Sequence, residues 1–188
     1  MIDVKHLVLL FAILITFNAY ADDLSDAKDT YTLTKKLAEQ GNAMVQTVLG
    51  LLYYNGEGVP QDYKLAVHWY TKAAEQGYAS AQYSLGEMYD KGEGVPEDDK
   101  QAVHWYTKSA EQGYLDAQSN LGVMYVNGYG VLQDYVKAYM WWNIAASNGN
   151  EDAREYRDKV AGMMTPEQIA EAQELARECI KKNYKDCG

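Results

Sequence analysis

Apolar positions along the chain fall into short helical stripes separated by glycine turns. Val45, Leu49, Leu52 and Tyr53 stand at i, i+4, i+7 and i+8, the spacing of one helix face. Ala66, Trp69, Ala73 and Ala74 form a second stripe after the turn Asn55-Gly56-Glu57-Gly58. Gly56 is placed to end the first helix, predicted over about 43–55. Asp62 stands where the second needs an N-cap, its carboxylate accepting free backbone N–H groups. Gly50 interrupts the first stripe, and its missing side chain lets a neighbouring helix approach. Trp alternating with Ala in the second stripe lets large and small side chains interdigitate.

The same hairpin recurs at a 36-residue step. The step links Gln46, Gln82 and Gln118; Gly50, Gly86 and Gly122; Tyr53, Tyr89 and Tyr125; and Asp62, Asp98 and Asp134. It also links Trp69, Trp105 and Trp141, then Gly77, Gly113 and Gly149. A fixed period of this length marks a stacked array whose units cannot bury their apolar faces alone. Asp98 with Gln101 three residues on forms a capping-box pattern. The predicted organisation is three repeats, 43–78, 79–114 and 115–150, with atypical ends.

Those ends read as caps. Leu24, Ala27, Tyr31, Thr34 and Ala38 share a helix face, and Glu39-Gln40-Gly41 repeats Glu75-Gln76-Gly77. Residues 22–42 therefore predict a degenerate half repeat. After Gly149 the motif fades, although Ala153 keeps the register of Ala81 and Ala117. Tyr156, Val160 and Met163 keep a helical spacing. Thr165-Pro166-Glu167-Gln168 starts a last helix with Ile169, Ala172, Leu175, Ala176 and Ile180 on one face. Lys72 and Lys108 become Ile144 in the third repeat, which predicts that the C-terminal helices of 151–188 fold over it.

An apolar run at 7–17 behind Lys5, followed by Ala19-Tyr20-Ala21, reads as a signal peptide cleaved after Ala21. The run is short of the ~20 residues a membrane span needs. An uncleaved anchor is the alternative; otherwise the mature chain is not stably inserted in membrane. Export to the periplasm or the medium puts Cys179 and Cys187 in an oxidising compartment, where a pair forms a disulfide. The formal charge of −10 has the wrong sign for phosphate neutralisation, so nucleic acid is set aside as a partner.

The repeated A-x-A-Q-x-x-L-G-x-x-Y core, with the Gly-x-Gly-Val turn and the later Trp, resembles the Sel-one-like repeat, a class of tetratricopeptide-like solenoid. The resemblance covers 43–150 and a half unit before it. It implies an all-α fold, an α-α superhelix of helix-turn-helix repeats with capping helices and a concave face. It also implies an adaptor or scaffold role. Cysteine-rich members linked to β-lactam binding carry a cysteine pair in every unit; this chain has none within its repeats.

In such arrays the first helix of each unit lines the concave face. Its non-motif positions are Met44, Thr47, Leu51 and Tyr54; Ser80, Tyr83, Glu87 and Asp90; Asp116, Ser119, Val123 and Val126. They offer apolar ends and an acidic middle to a partner protein or peptide, and the acidic residues suit a basic ligand. The alternative is that they are solvated or pack between units. No cofactor or metal is expected. The Gly-rich turns lack a phosphate-loop ending. His68 and His104 have no ligating partners and are replaced by Met140 in the third unit. The competing function is a weak hydrolase of β-lactams or cell-wall material. Ser84 and Ser109 are the helical serines of the second repeat, and neither sits in a nucleophile elbow.

Overall fold

The computed structural model describes residues 24–187, so the expected signal segment at 1–21 lies outside the described residues. Within them the chain forms nine helices and no strand: α1 (Leu24–Ala38), α2 (Ala43–Asn55), α3 (Tyr63–Glu75), α4 (Ala79–Lys91), α5 (Asp99–Ala110), α6 (Leu115–Asn127), α7 (Tyr135–Ser147), α8 (Glu151–Ala161) and α9 (Pro166–Lys181). The pairs α2/α3, α4/α5 and α6/α7 are hairpins stacked in chain order, α1 packs on α2, and α8 and α9 both pack on α7.

The expected caps form. Asp62, Asp98 and Asp134 sit in extended backbone and accept from Leu65 N, from Lys100 N and Gln101 N, and from Lys137 N. Gly56 ends α2 with φ 76°, a left-handed conformation that costs other residues about 1–2 kcal/mol. The capping box expected at Asp98 is only half made. The Asp98 N–H donates instead to Tyr89 O at 3.0 Å, closing the hairpin turn, and Asp62 and Asp134 do the same to Tyr53 O and Tyr125 O. At Thr165 both arms of the box are present, with Pro166 opening α9.

The glycines of the first helices receive rings. A Cβ on Gly50 would fall 2.6 Å from the Tyr70 ring, and one on Gly86 would fall 2.6 Å from the Tyr106 ring. The approach is therefore made by a side chain of the same unit. Trp142 takes this place in the third unit, and its Nε1 donates to Ser119 O at 2.9 Å. Successive turns also nest: a Cβ on Gly94 would land on the Tyr63 carbonyl, and one on Gly130 on the Asp99 carbonyl.

The repeated glutamines tie unit to unit from within. Nε2 of Gln46, Gln82 and Gln118 donates to Ala38 O, Ala74 O and Ala110 O, carbonyls in the last turn of the preceding helix. Gln76 and Gln112 then donate to the Oε1 of Gln46 and Gln82. At the third unit the shorter Asn148 donates to Ile144 O and the Tyr184 hydroxyl instead, leaving Gln118 Oε1 without a hydrogen-bond partner.

Trp69 and Trp141 lie in the core as expected, but Trp105 stays half-buried. The Lys108 ammonium rests 5.1 Å from its ring centroid, where Trp141 is instead enclosed in the C-terminal core. Ile144 is fully buried in one cluster with Ala153, Val160, Ala172, Ala176 and Cys179, so the terminal helices do cover it. The buried stripe of α9 differs from expectation. Ala172, Ala176 and Cys179 face in and share the core with α7, while Leu175 and Ile180 stay exposed. On α8 only Ala153 and Val160 are buried, and Met163 beyond it is exposed.

Candidate protein-binding face

The accessible sides of α2, α4 and α6 carry the expected first-helix positions. Met44 and Leu51 are exposed, and Tyr54 is half-buried with its ring 5.3 Å from Tyr63. Thr47 turns its hydroxyl to the Ala43 carbonyl. On α4, Ser80, Tyr83, Glu87 and Asp90 are all half-buried, and on α6 Asp116 is exposed. Val123 and Val126 are half-buried against the C-terminal core. Ser119 departs from expectation: it is buried, because the indole of Trp142 bonds to its carbonyl where the other units place a smaller tyrosine.

Tyr83 holds the centre together. Its ring lies 5.0 Å from Tyr114 and 5.8 Å from Tyr106. The Tyr106 hydroxyl donates to Asp90 Oδ2 at 3.3 Å. Glu87 pairs with Lys91 at 2.9 Å along α4. Burial raises the Tyr83 hydroxyl above the usual phenol range, and the charges of Glu87 and Asp116 raise it further. Burial likewise pushes up Tyr54, with Glu93 beside it, and Tyr70, which feels Glu87 and Tyr54. These hydroxyls are therefore neutral donors at physiological pH. Burial also raises the Asp90 carboxyl; the Tyr106 hydrogen bond and Lys91 oppose this, while Asp99 and Glu87 add to it. Tyr54, Tyr83, Glu87, Asp90 and Asp116 thus form one electrostatically linked patch.

Sequence reasoning missed its neighbours. Tyr114 follows the Gly113 turn, and the 36-residue step from Tyr78 was the signal available for it. Asp152, Glu155 and Lys159 on α8 fall one step beyond Asp116, Ser119 and Val123, and all three are exposed. Asp152 continues the acidic row, and Glu155 is paired with Lys159 at 2.5 Å. The helical serines are engaged otherwise: the buried Ser109 donates to Ala79 O at 2.8 Å, and Ser84 lies beside Tyr70. His68 and His104 are exposed and stand edge-on to Trp69 and Trp105. Among the described residues no group of His, Cys, Asp and Glu is placed to hold a metal ion, and no helix is long and apolar enough to cross a membrane.

Tandem helix hairpins, each seating a ring on a helix glycine, with the second and third nesting their turns on the unit before, define an α-solenoid of short repeats. The profile of the Sel1 repeat matches residues 43–78, 79–114 and 115–150, and the chain belongs to that family. Among solved structures it is similar to a protective antigen of uropathogenic Escherichia coli displaying an SLR fold, at 36% identity and TM-score 0.78. That match covers 84% of this chain but 34% of the antigen, so the chain spans about a third of its length. A Sel1 repeat protein from Oxalobacter formigenes matches at 38% identity and TM-score 0.63, over 68% of this chain and 96% of that one. Cysteine-rich protein B of Helicobacter pylori matches at 25% identity and TM-score 0.53, over 71% and 93% of the two chains. No curated protein matches the sequence.

Proposed function

We propose that this chain is an exported scaffold that presents the concave first-helix side of its solenoid to a partner protein or peptide. One observation carries the reading. Glu87 lies within electrostatic reach of Tyr54, Tyr83 and Asp90, and Asp116 within reach of Tyr83, all of them at least partly exposed. The motif Trp, Gly, Gln and cap Asp residues are meanwhile engaged in packing and hydrogen bonds. Sel1 repeats serve generally as interaction scaffolds, and half-exposed tyrosines supply contact area at low entropic cost. The decisive test is in-cell crosslinking of the chain carrying Tyr54→Ala and Tyr83→Ala together. Partner capture is expected to disappear while the circular-dichroism melt stays cooperative; capture that survives in the folded variant places the site elsewhere.

The Cys179–Cys187 bridge supports export to the periplasm or the medium, since disulfides persist in oxidising compartments. Amino-terminal sequencing of the exported protein should begin at Asp22; a retained segment would favour an anchor. The hydrolase alternative finds no support among the described residues, where the Ser109 hydroxyl is buried in a packing role and Ser84 lies against a tyrosine.

A further inference from the structure

The first-helix face carries more information than its exposure. Its charge is unbalanced: Glu87 has Lys91 as partner, whereas Asp116 is exposed and forms no ion pair among the described residues. Asp90 is held by the Tyr106 hydroxyl alone, and Glu93 Oε2 is buried without a hydrogen bond. These carboxylates outnumber the cation among them, Lys91, and are otherwise interleaved with rings. Tyr83, Tyr106 and Tyr114 pack at 5.0–5.8 Å between them, and Tyr54 lies beside Glu93. On either side the face turns apolar, at Leu51 and Tyr54 in the first unit and at Val123 and Val126 in the third.

We infer that the face takes an extended cationic segment of a partner protein, with a Lys or Arg side chain set against Tyr83, Glu87 and Asp116 and apolar side chains on either flank. A cation there gains Coulomb attraction in a partly desolvated site, together with cation–π contact to tyrosine faces. An acidic segment would meet like charge, and a neutral one would leave the carboxylates unanswered. Geometry sets the spacing. Packed helices stand roughly 10 Å apart and an extended chain advances about 3.3 Å per residue, so neighbouring units are read roughly three residues apart. The recognised pattern is therefore apolar, basic, apolar at intervals of about three residues. Asp152 on α8 extends the acidic row for a further basic residue, Glu155 being paired with Lys159.

This inference rests on the scaffold reading, and one experiment separates the two. The purified chain is panned against a random peptide library displayed on phage, at low and high salt. Enriched peptides are expected to carry Lys or Arg between apolar residues at that spacing and to be released by salt. Substituting Glu87→Gln with Asp116→Asn should weaken them on the order of tenfold. Enriched peptides without basic residues that are lost on Tyr54→Ala with Tyr83→Ala would overturn the cationic inference and leave the scaffold reading standing. So would basic peptides indifferent to Glu87→Gln with Asp116→Asn. No enrichment over the bare support would overturn both.

Discussion

At the scale of single residues, spacing is set by what is left out. Gly86 sits in the middle of α4, where alanine would favour the helix by about 1 kcal/mol. The added methyl would strike the Tyr106 ring at 2.6 Å, and that ring is fully buried with its hydroxyl fixed on Asp90. Gly86→Ala should therefore destabilise by about 1–3 kcal/mol, read from the urea midpoint. An unchanged or raised midpoint would show that the ring yields. Asp90 gives a pH signature. Burial, opposed by the Tyr106 hydroxyl and Lys91 but aided by Asp99 and Glu87, raises its carboxyl above the unfolded value. Such an acid takes its proton first in the folded state, so its ionisation costs stability as pH rises through the folded value. Asp90→Asn should raise stability at neutral pH and lose that advantage as pH falls below about 4. Urea titrations at the two pH values check this.

At the scale of elements, the C-terminal segment acts as a fastener. After α9 the chain passes through Asn183, Tyr184 and Asp186 at positive φ. Tyr184 lies against Gly113 and accepts from Asn148, and the Asp186 N–H donates to Glu111. The disulfide from buried Cys179 to Cys187 holds this excursion in place. Closing so short a loop is worth about 2–3 kcal/mol in the chain-entropy model, offset by the cost of the left-handed residues. Cys187→Ser should leave the repeats folded while making residues after α9 sensitive to protease and lowering stability by at most about that amount. The same melting and digestion pattern with and without the substitution would remove the fastening role.

At the scale of the molecule, the helices of the repeats pack mainly on their neighbours in the chain, while the tail after α9 reaches back to the second unit, so the array is nearly one-dimensional. Deleting residues 79–114 joins two units of the same register. The tail's contacts at Glu111 and Gly113 are then replaced by the identical Glu75 and Gly77. The shortened chain should stay soluble and helical with a cooperative but lower melt. It should lose capture of cationic peptides, because Tyr83, Glu87 and Asp90 leave with the deleted unit. Aggregation of the shortened chain would show that the middle unit is not interchangeable.

Much of this was legible in the sequence, because helix hairpins are specified locally. Apolar spacing, Asp caps and Gly stops act within a few residues, and repetition states them three times. The folding of the terminal helices over Ile144 was legible from a lysine turning apolar. The half-made box at Asp98, the half-buried Trp105 and the outward Leu175 and Ile180 were not. At Asp98 the competing acceptor is the Tyr89 carbonyl across the hairpin turn, and on α9 the buried side is set by packing on α7. No contact explains why Trp105 stays half-buried, since Lys72 covers the buried Trp69 as Lys108 covers Trp105. For the candidate face, sequence spacing placed the rows along the first helices. Packing alone decided that Ser119 lies beneath Trp142 and that Tyr114 joins Tyr83. The sequence by itself determined a stacked helical array, since its signals are short-range and periodic. The tertiary structure decided which side chains remain open to a partner, since that depends on which rings and carboxylates converge from different units.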